Sequence, residues 1–191
     1  MYFNRRTIRL ENFDYSNNGY YFVTICAWKH LKIFGKIIDN LMVLNGNGKI
    51  IENELIKTEI MRKNVKIDIF QIMPNHVHMI LVIKNDNLAY INTPVQNGND
   101  NVGAYCNTPL RMETNKFKSP KNNLGSIIRG LKSTTCKQIK PILCNVLPVF
   151  QRNYYERIIR NEKEYLRIKK YIKSNPEMWY RDRNNFSKTP P

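Results

Sequence analysis

A chain of 191 residues, 42% hydrophobic and 24% charged, has the length of one domain and enough apolar chain for a real core. This excludes a disulfide miniprotein, a collagen and a wholly disordered chain. Lys and Arg number 31 against 15 Asp and Glu, a formal net charge of +16; such a surplus repels itself unless a polyanion is the partner, with nucleic acid ahead of an anionic membrane surface.

The opening Met1-Tyr-Phe-Asn-Arg-Arg carries no apolar segment of signal-peptide type, and no run reaches the roughly 18 apolar residues of a membrane span. Cys26, Cys106, Cys136 and Cys144 match no zinc-finger spacing, so reduced thiols and a cytoplasmic location are expected. Tyr20–Trp28 is β-branched and aromatic and predicts a strand. Lys32–Ile38 and Leu41–Leu44 flank Asp39-Asn40 and predict a hairpin. Ile50–Lys63 has Ile51, Leu55 and Ile60 at near-helical spacing. Val65–Met73 alternates as a strand, with Val65, Ile67, Ile69 and Met73 on one face and Gln71 the exception. His76–Ile83 is a near-continuous apolar run suited to a central strand covered on both faces.

The stretch 84–123 is rich in Asn, with Gly98 and Gly103 and few apolar residues; it reads as a long mobile loop inserted into a single domain covering 1–191. Asn123–Lys140 predicts an amphipathic helix with Leu124, Ile127, Ile128, Leu131 and Ile139 as its stripe and Pro141 as its stop. Val149–Ile159 predicts a strand. Asn161–Asn175 predicts a helix with Asn161 as N-cap, Glu164 as its capping-box partner and Pro176 after its end. With the hairpin set aside, the order is β-α-β-β-α-β and then a helix. This is an α+β fold of the ferredoxin-like split βαβ plan, with an antiparallel sheet whose third main strand is central.

The charge is concentrated. Residues 1–115 hold 13 Lys/Arg against 10 Asp/Glu, and residues 116–191 hold 18 against 5. A surplus gathered in one segment reads as a footprint for phosphates, against the plainer reading of a solvated basic face. His76 and His78 stand i, i+2 on a strand, so both rings leave by one face. Two imidazoles on an apolar strand need partners for every ring nitrogen, and a divalent metal takes both lone pairs at once. Two hydrogen-bonded core histidines are the plainer alternative. A two-His centre leaves coordination positions open, as a catalytic site reached by solvent does. On a helical projection Tyr165, Ile168 and Ile172 form the core stripe of the last helix; Tyr171 and Asn175, four apart, line its edge, with Arg167 beyond. An amide oxygen suits a hard metal, and a phenol can serve as nucleophile. Among eleven tyrosines, this helix alone favours an ordinary edge Tyr and a C-terminal Asn.

Together the motifs are specific. Met73-Pro-Asn-His-Val-His-Met-Ile80 resembles the His-hydrophobe-His (HUH) signature of the REP-associated tyrosine transposases, relatives of the small single-tyrosine transposases of bacterial insertion sequences. Arg5–Leu10, Tyr20–Cys26, Leu124–Ser133, Gln151–Arg160 and Tyr171-Ile-Lys-Ser-Asn175-Pro176 resemble further segments of that family, over most of the chain outside 84–123. The resemblance implies a metal-dependent endonuclease and strand transferase acting on single-stranded DNA, at hairpins or REP-like repeats, as a monomer or homodimer. By position in the motifs, His76, His78 and Asn175 would hold Mg²⁺ or Mn²⁺, and Tyr171 would be the nucleophile that forms a 5′-phosphotyrosine. Arg129, Lys132, Arg152, Arg157, Arg167 and Lys170 are candidate DNA contacts. Phe150 replaces the family's Trp, and Arg157 stands where relatives often carry His. The competing function is a domesticated DNA-hairpin binder without turnover.

Overall fold

The computed structural model describes residues 14–85, 123–144 and 148–185. The Arg5–Leu10 motif and residues 86–122 of the expected insert lie outside them. The elements run β1 (Gly19–Cys26), β2 (Gly35–Ile38), β3 (Leu41–Leu44), α1 (Gly46–Met61), β4 (Val65–Met73), β5 (His76–Ile83), α2 (Leu124–Ile142), β6 (Tyr155–Ile159) and α3 (Glu162–Ser174). The main sheet is antiparallel with the order β4-β5-β1-β6. This is the split βαβ arrangement, with β5 central. The hairpin β2–β3 is a separate two-stranded sheet, turned by Asp39 and Asn40 at φ 48° and 60°.

The sheet separates two apolar layers. Val77, Met79, Leu81 and Ile83 of β5 join Ile51 and Leu55 of α1 and Leu124, Ile127, Ile128 and Ile139 of α2. On the other face Ile80 and Val82 of β5, Phe22 of β1 and Ile159 of β6 pack against Ile168 and Ile172 of α3. His76 and His78 have the parity of Ile80 and Val82, so they face α3.

Several boundaries depart from expectation. The helix expected from Ile50 starts at Gly46, because the Asn45 side chain accepts from Gly48 N and caps it. Gly46, Asn47 and Gly48 are weak helix formers and hide that first turn. Gly48 is there for space: a Cβ on it would lie 2.3 Å from the Phe34 carbonyl oxygen and 2.9 Å from Leu44 Cδ2. Although Ala is the better helix former, Gly48→Ala should destabilise by about 1–3 kcal/mol. Thermal melting checks this, and an unchanged or raised Tm would contradict it.

The expected single face of β4 is broken by a bulge. Ile67 pairs with Leu81 but Ile69 with Ile80, so Asp68 is an extra residue. Val65, Ile67, Phe70 and Ile72 therefore meet the α1/α2 layer, whereas Ile69 packs on the α3 layer and Gln71 comes opposite His78. The displaced Asp68 carboxylate accepts from the Tyr165 hydroxyl at 2.8 Å and Lys169 Nζ at 3.1 Å, tying β4 to α3.

Pro141 does not stop α2, which runs on to Ile142. A proline in the last turn forfeits a single backbone bond, and Leu143 N still reaches Ile139 O. The strand expected from Val149 begins only at Tyr155. Phe150 makes one isolated bridge to Ala27, and the carbonyls of Gln151, Arg152 and Asn153 turn inward to Lys132 Nζ instead of forming a ladder.

Asn161 caps α3 through Glu164 N at 2.8 Å, but the Glu164 carboxylate reaches past the cap to Arg160 N (3.1 Å) and to Arg157 Nε (2.6 Å). The Arg160 amide first, then the Arg157 guanidinium, hold its carboxyl below the usual range. A depressed folded-state pKa stabilises above the unfolded value of about 4.3 and loses that contribution as pH falls through the folded one. Arg157 is half exposed and its charge is screened, so Glu164→Gln should cost about 1 kcal/mol at pH 7. The difference should shrink as pH falls below the ordinary carboxylate range in paired urea titrations, and a pH-independent difference would contradict it.

Candidate active site

The site forms where β5, β1 and the end of α3 meet. The bend at Pro74-Asn75 brings His76 and His78 in at the start of β5, and antiparallel pairing sets Cys26 beside His76 and Thr24 beside His78. Both imidazoles are 0% exposed. Their Nε2 atoms stand 3.0 Å apart. From α3, the Tyr171 hydroxyl lies 3.1 Å from His78 Nε2, and its ring packs edgewise on Phe22. Tyr171 as a whole is 41% exposed, so the side chain spans from the paired rings to solvent.

The outer nitrogens are held by their own partners. His76 Nδ1 lies 2.8 Å from Asn75 Oδ1. The Asn75 amide nitrogen donates to His30 O and Asn184 O, which fixes its oxygen as the atom facing the ring. An amide oxygen only accepts, so His76 carries its proton on Nδ1 and offers a lone pair at Nε2. His78 Nδ1 lies 2.8 Å from Thr24 Oγ1.

A third group was absent from the sequence expectations. Asp182, in the segment after α3, is buried and brings Oδ2 to 3.7 Å from His76 Nε2. Its other oxygen accepts from Asn184 N at 2.6 Å, which aims the carboxylate inward. Donor atoms of His76, His78 and Asp182 all lie within 4.8 Å of one another. Asn175 is buried at the end of α3, and its Oδ1, like Asp182 Oδ2, has no hydrogen-bond partner among the described residues.

Burial pushes the His76 pKa down to about 4, against the partial opposition of Asp182, and holds His78 well below the ordinary value with help from His76 and Arg183. Both rings are therefore neutral near pH 7 and keep lone pairs to give. Burial, then the Asp182 charge, raises the Tyr171 phenol; the Asn175 amide and Arg183 oppose this. These residues fit a divalent ion. Adjacent donors of an octahedral site with bonds of about 2.1 Å stand about 3 Å apart, matching the two Nε2 atoms, and a buried Asp182 carboxylate oxygen lies within 4.8 Å of the histidine donors.

The expectation that solvent reaches the rings is not met. The α3 segment carrying Tyr171 and the turn bearing Trp179 and Asp182 close over them, with Trp179 6.1 Å from His76 by ring centroids. Apolar packing of α3 against Phe22 and Ile80 draws this cover down.

The basic candidates divide by face. Arg157, Arg167 and Lys170 are exposed on the α3 side, with Arg157 paired to Glu164. Arg129 is exposed on α2, across the sheet, and Arg152 is exposed just before β6. Lys132, also on α2, spends its ammonium on the carbonyls of residues 151–153. A groove of about 520 Å³ runs along α3, lined by Tyr165, Lys169, Lys170 and Lys173 among others; Lys169 and Lys173 were not singled out in the sequence. No helix among the described residues is long and apolar enough to cross a membrane.

No family model matches the sequence. Over 180 residues, 93% of this chain and 91% of its relative, it is 36% identical to an uncharacterized protein of Haemophilus influenzae. The structure aligns with that of a REP-associated tyrosine transposase bound to a REP hairpin, at TM-score 0.54 and 16% identity, over 90% of this chain and 72% of that one. The chain belongs to the family of the Haemophilus influenzae protein and has the fold of the REP-associated tyrosine transposase.

Proposed function

We propose that the protein is a metal-dependent endonuclease and strand transferase for single-stranded DNA, transposase-like, that cuts at hairpins through Tyr171. The observation that carries the reading is the Tyr171 hydroxyl 3.1 Å from His78 Nε2, in a site where two imidazoles and the Asp182 carboxylate converge. His76, His78 and Asp182, with Asn175 beside them, would hold Mg²⁺ or Mn²⁺. A bound ion there supplies Lewis-acid polarisation of a phosphate and stabilises the charge that develops on it.

The chain's own groups account for the rest. The Tyr171 oxygen attacks phosphorus, the bond to the departing 3′ oxygen breaks, and a 5′-phosphotyrosine and a 3′-OH result; the phenol proton leaves and the 3′ oxygen gains one. Because burial raises the phenol's pKa, Tyr171 starts protonated and needs an acceptor during attack. The ester bond is conserved in the adduct, so a second 3′-OH can reverse the step at a new junction without ATP. The Lys170 and Lys173 side of α3 offers cations to the flanking phosphates, Lys169 being paired with Asp68.

The test is incubation with end-labelled hairpin DNA and Mn²⁺, followed by denaturing electrophoresis. A protein–DNA adduct that survives denaturation supports the enzyme. Tight, salt-sensitive binding without adduct supports the hairpin binder instead.

A further inference from the structure

We propose that Thr24 is a positioning residue that lets His78 change tautomer when the site takes up a divalent ion; this rests on the metal reading above. The two rings are held differently. Asn75 Oδ1 can only accept, so His76 is locked with its proton on Nδ1. The partner of His78 Nδ1 is a hydroxyl, Thr24 Oγ1 at 2.8 Å, which both donates and accepts.

Without an ion, one chain of donors closes. The Thr24 hydroxyl donates to His78 Nδ1, His78 Nε2–H donates to His76 Nε2 across 3.0 Å with the Tyr171 hydroxyl oxygen, 3.1 Å away, as its second acceptor, and His76 Nδ1–H donates to Asn75. This arrangement avoids two lone pairs facing each other in a buried site. Ion binding requires the lone pair of His78 Nε2. The ring proton must then sit on Nδ1 and be accepted by Thr24 Oγ1, whose own hydrogen rotates away. One proton moves from Nε2 to Nδ1 of the same ring, and the net charge is unchanged. An acceptor-only partner would freeze the ion-ready state with facing lone pairs, whereas an apolar residue would strand the buried Nδ1–H of the loaded state. The antiparallel register that pairs Thr24 with His78 builds the device into the sheet.

The experiment compares wild type, Thr24→Val and Thr24→Ser, each confirmed folded by its amide NMR spectrum. Mn²⁺ binding is followed by titration calorimetry, and the His78 ring by ¹⁵N shifts with and without Mg²⁺. Thr24→Val should bind Mn²⁺ about 10–100-fold more weakly, Thr24→Ser should stay near wild type, and wild-type His78 should move its proton from Nε2 to Nδ1 on adding Mg²⁺. Equal Mn²⁺ affinity in Thr24→Val, or one His78 tautomer in both states, overturns the inference alone. A wild type that binds no Mn²⁺ overturns the metal reading and this inference with it.

Discussion

Replacing Tyr171 by Phe should abolish covalent capture of hairpin DNA, lowering adduct formation and strand transfer by at least about 10³-fold, while hairpin binding stays within about twofold of wild type. The change removes one atom. The ring keeps its edgewise packing on Phe22 and its contact with His78, so α3 should remain docked and Tm should stay within a few degrees. Only the nucleophilic oxygen and its bond to His78 Nε2 are lost. Binding measured across a salt series separates the two functions. Phosphate contacts make affinity fall steeply with ionic strength, and that slope should be the same in wild type and Tyr171→Phe. Undiminished adduct in the variant would assign the chemistry to another residue. No adduct from either protein, with the salt slope intact, would leave a hairpin binder.

The legible parts of the sequence were those where one residue pattern has one physical solution. The short, near-continuously apolar run from His76 to Ile83 suits a strand covered on both faces, and the α3 stripe of Tyr165, Ile168 and Ile172 leaves Tyr171 on the edge that overhangs the two histidines. Other features were hidden because the deciding contact is remote. Asp68 looks like any polar residue in an alternating strand; that it is the bulge shows only in its partnership with Tyr165 and Lys169, about a hundred positions later. Lys132 reads as a free cation on a helix, yet three carbonyls of a distant turn claim it. Asp182 was missed for a similar reason: no helical or strand period places it, since it sits in an irregular segment. The available signal was charge. It is the only Asp among the five acidic residues of 116–191, and it lies a few residues past the motif that bears Tyr171 and Asn175.

Asp182→Asn should separate the metal reading from that of two sealed core histidines, because the two require shifts of opposite sign. The substitution keeps the shape and the bond from Asn184 N but removes the charge beside His76. At pH 7 His76, with a pKa near 4, is neutral, so no ion pair with Asp182 forms to be lost. Without metal the carboxylate is a buried charge whose Oδ2 has no hydrogen-bond partner, and replacing it should leave Tm unchanged or raise it. With Mn²⁺ the order should reverse. An ion held only by the folded chain stabilises it by about 2.7 kcal/mol at 100 times Kd, and the variant, with its affinity reduced by about 10–100-fold, should gain far less at the same concentration. Asn175→Ala should weaken Mn²⁺ less than Asp182→Asn, since it removes a neutral oxygen. Melting curves with and without Mn²⁺ read all of this. A wild type whose Tm ignores Mn²⁺, together with an Asp182→Asn protein that melts lower in its absence, would make Asp182 a structural residue and return His76 and His78 to the core.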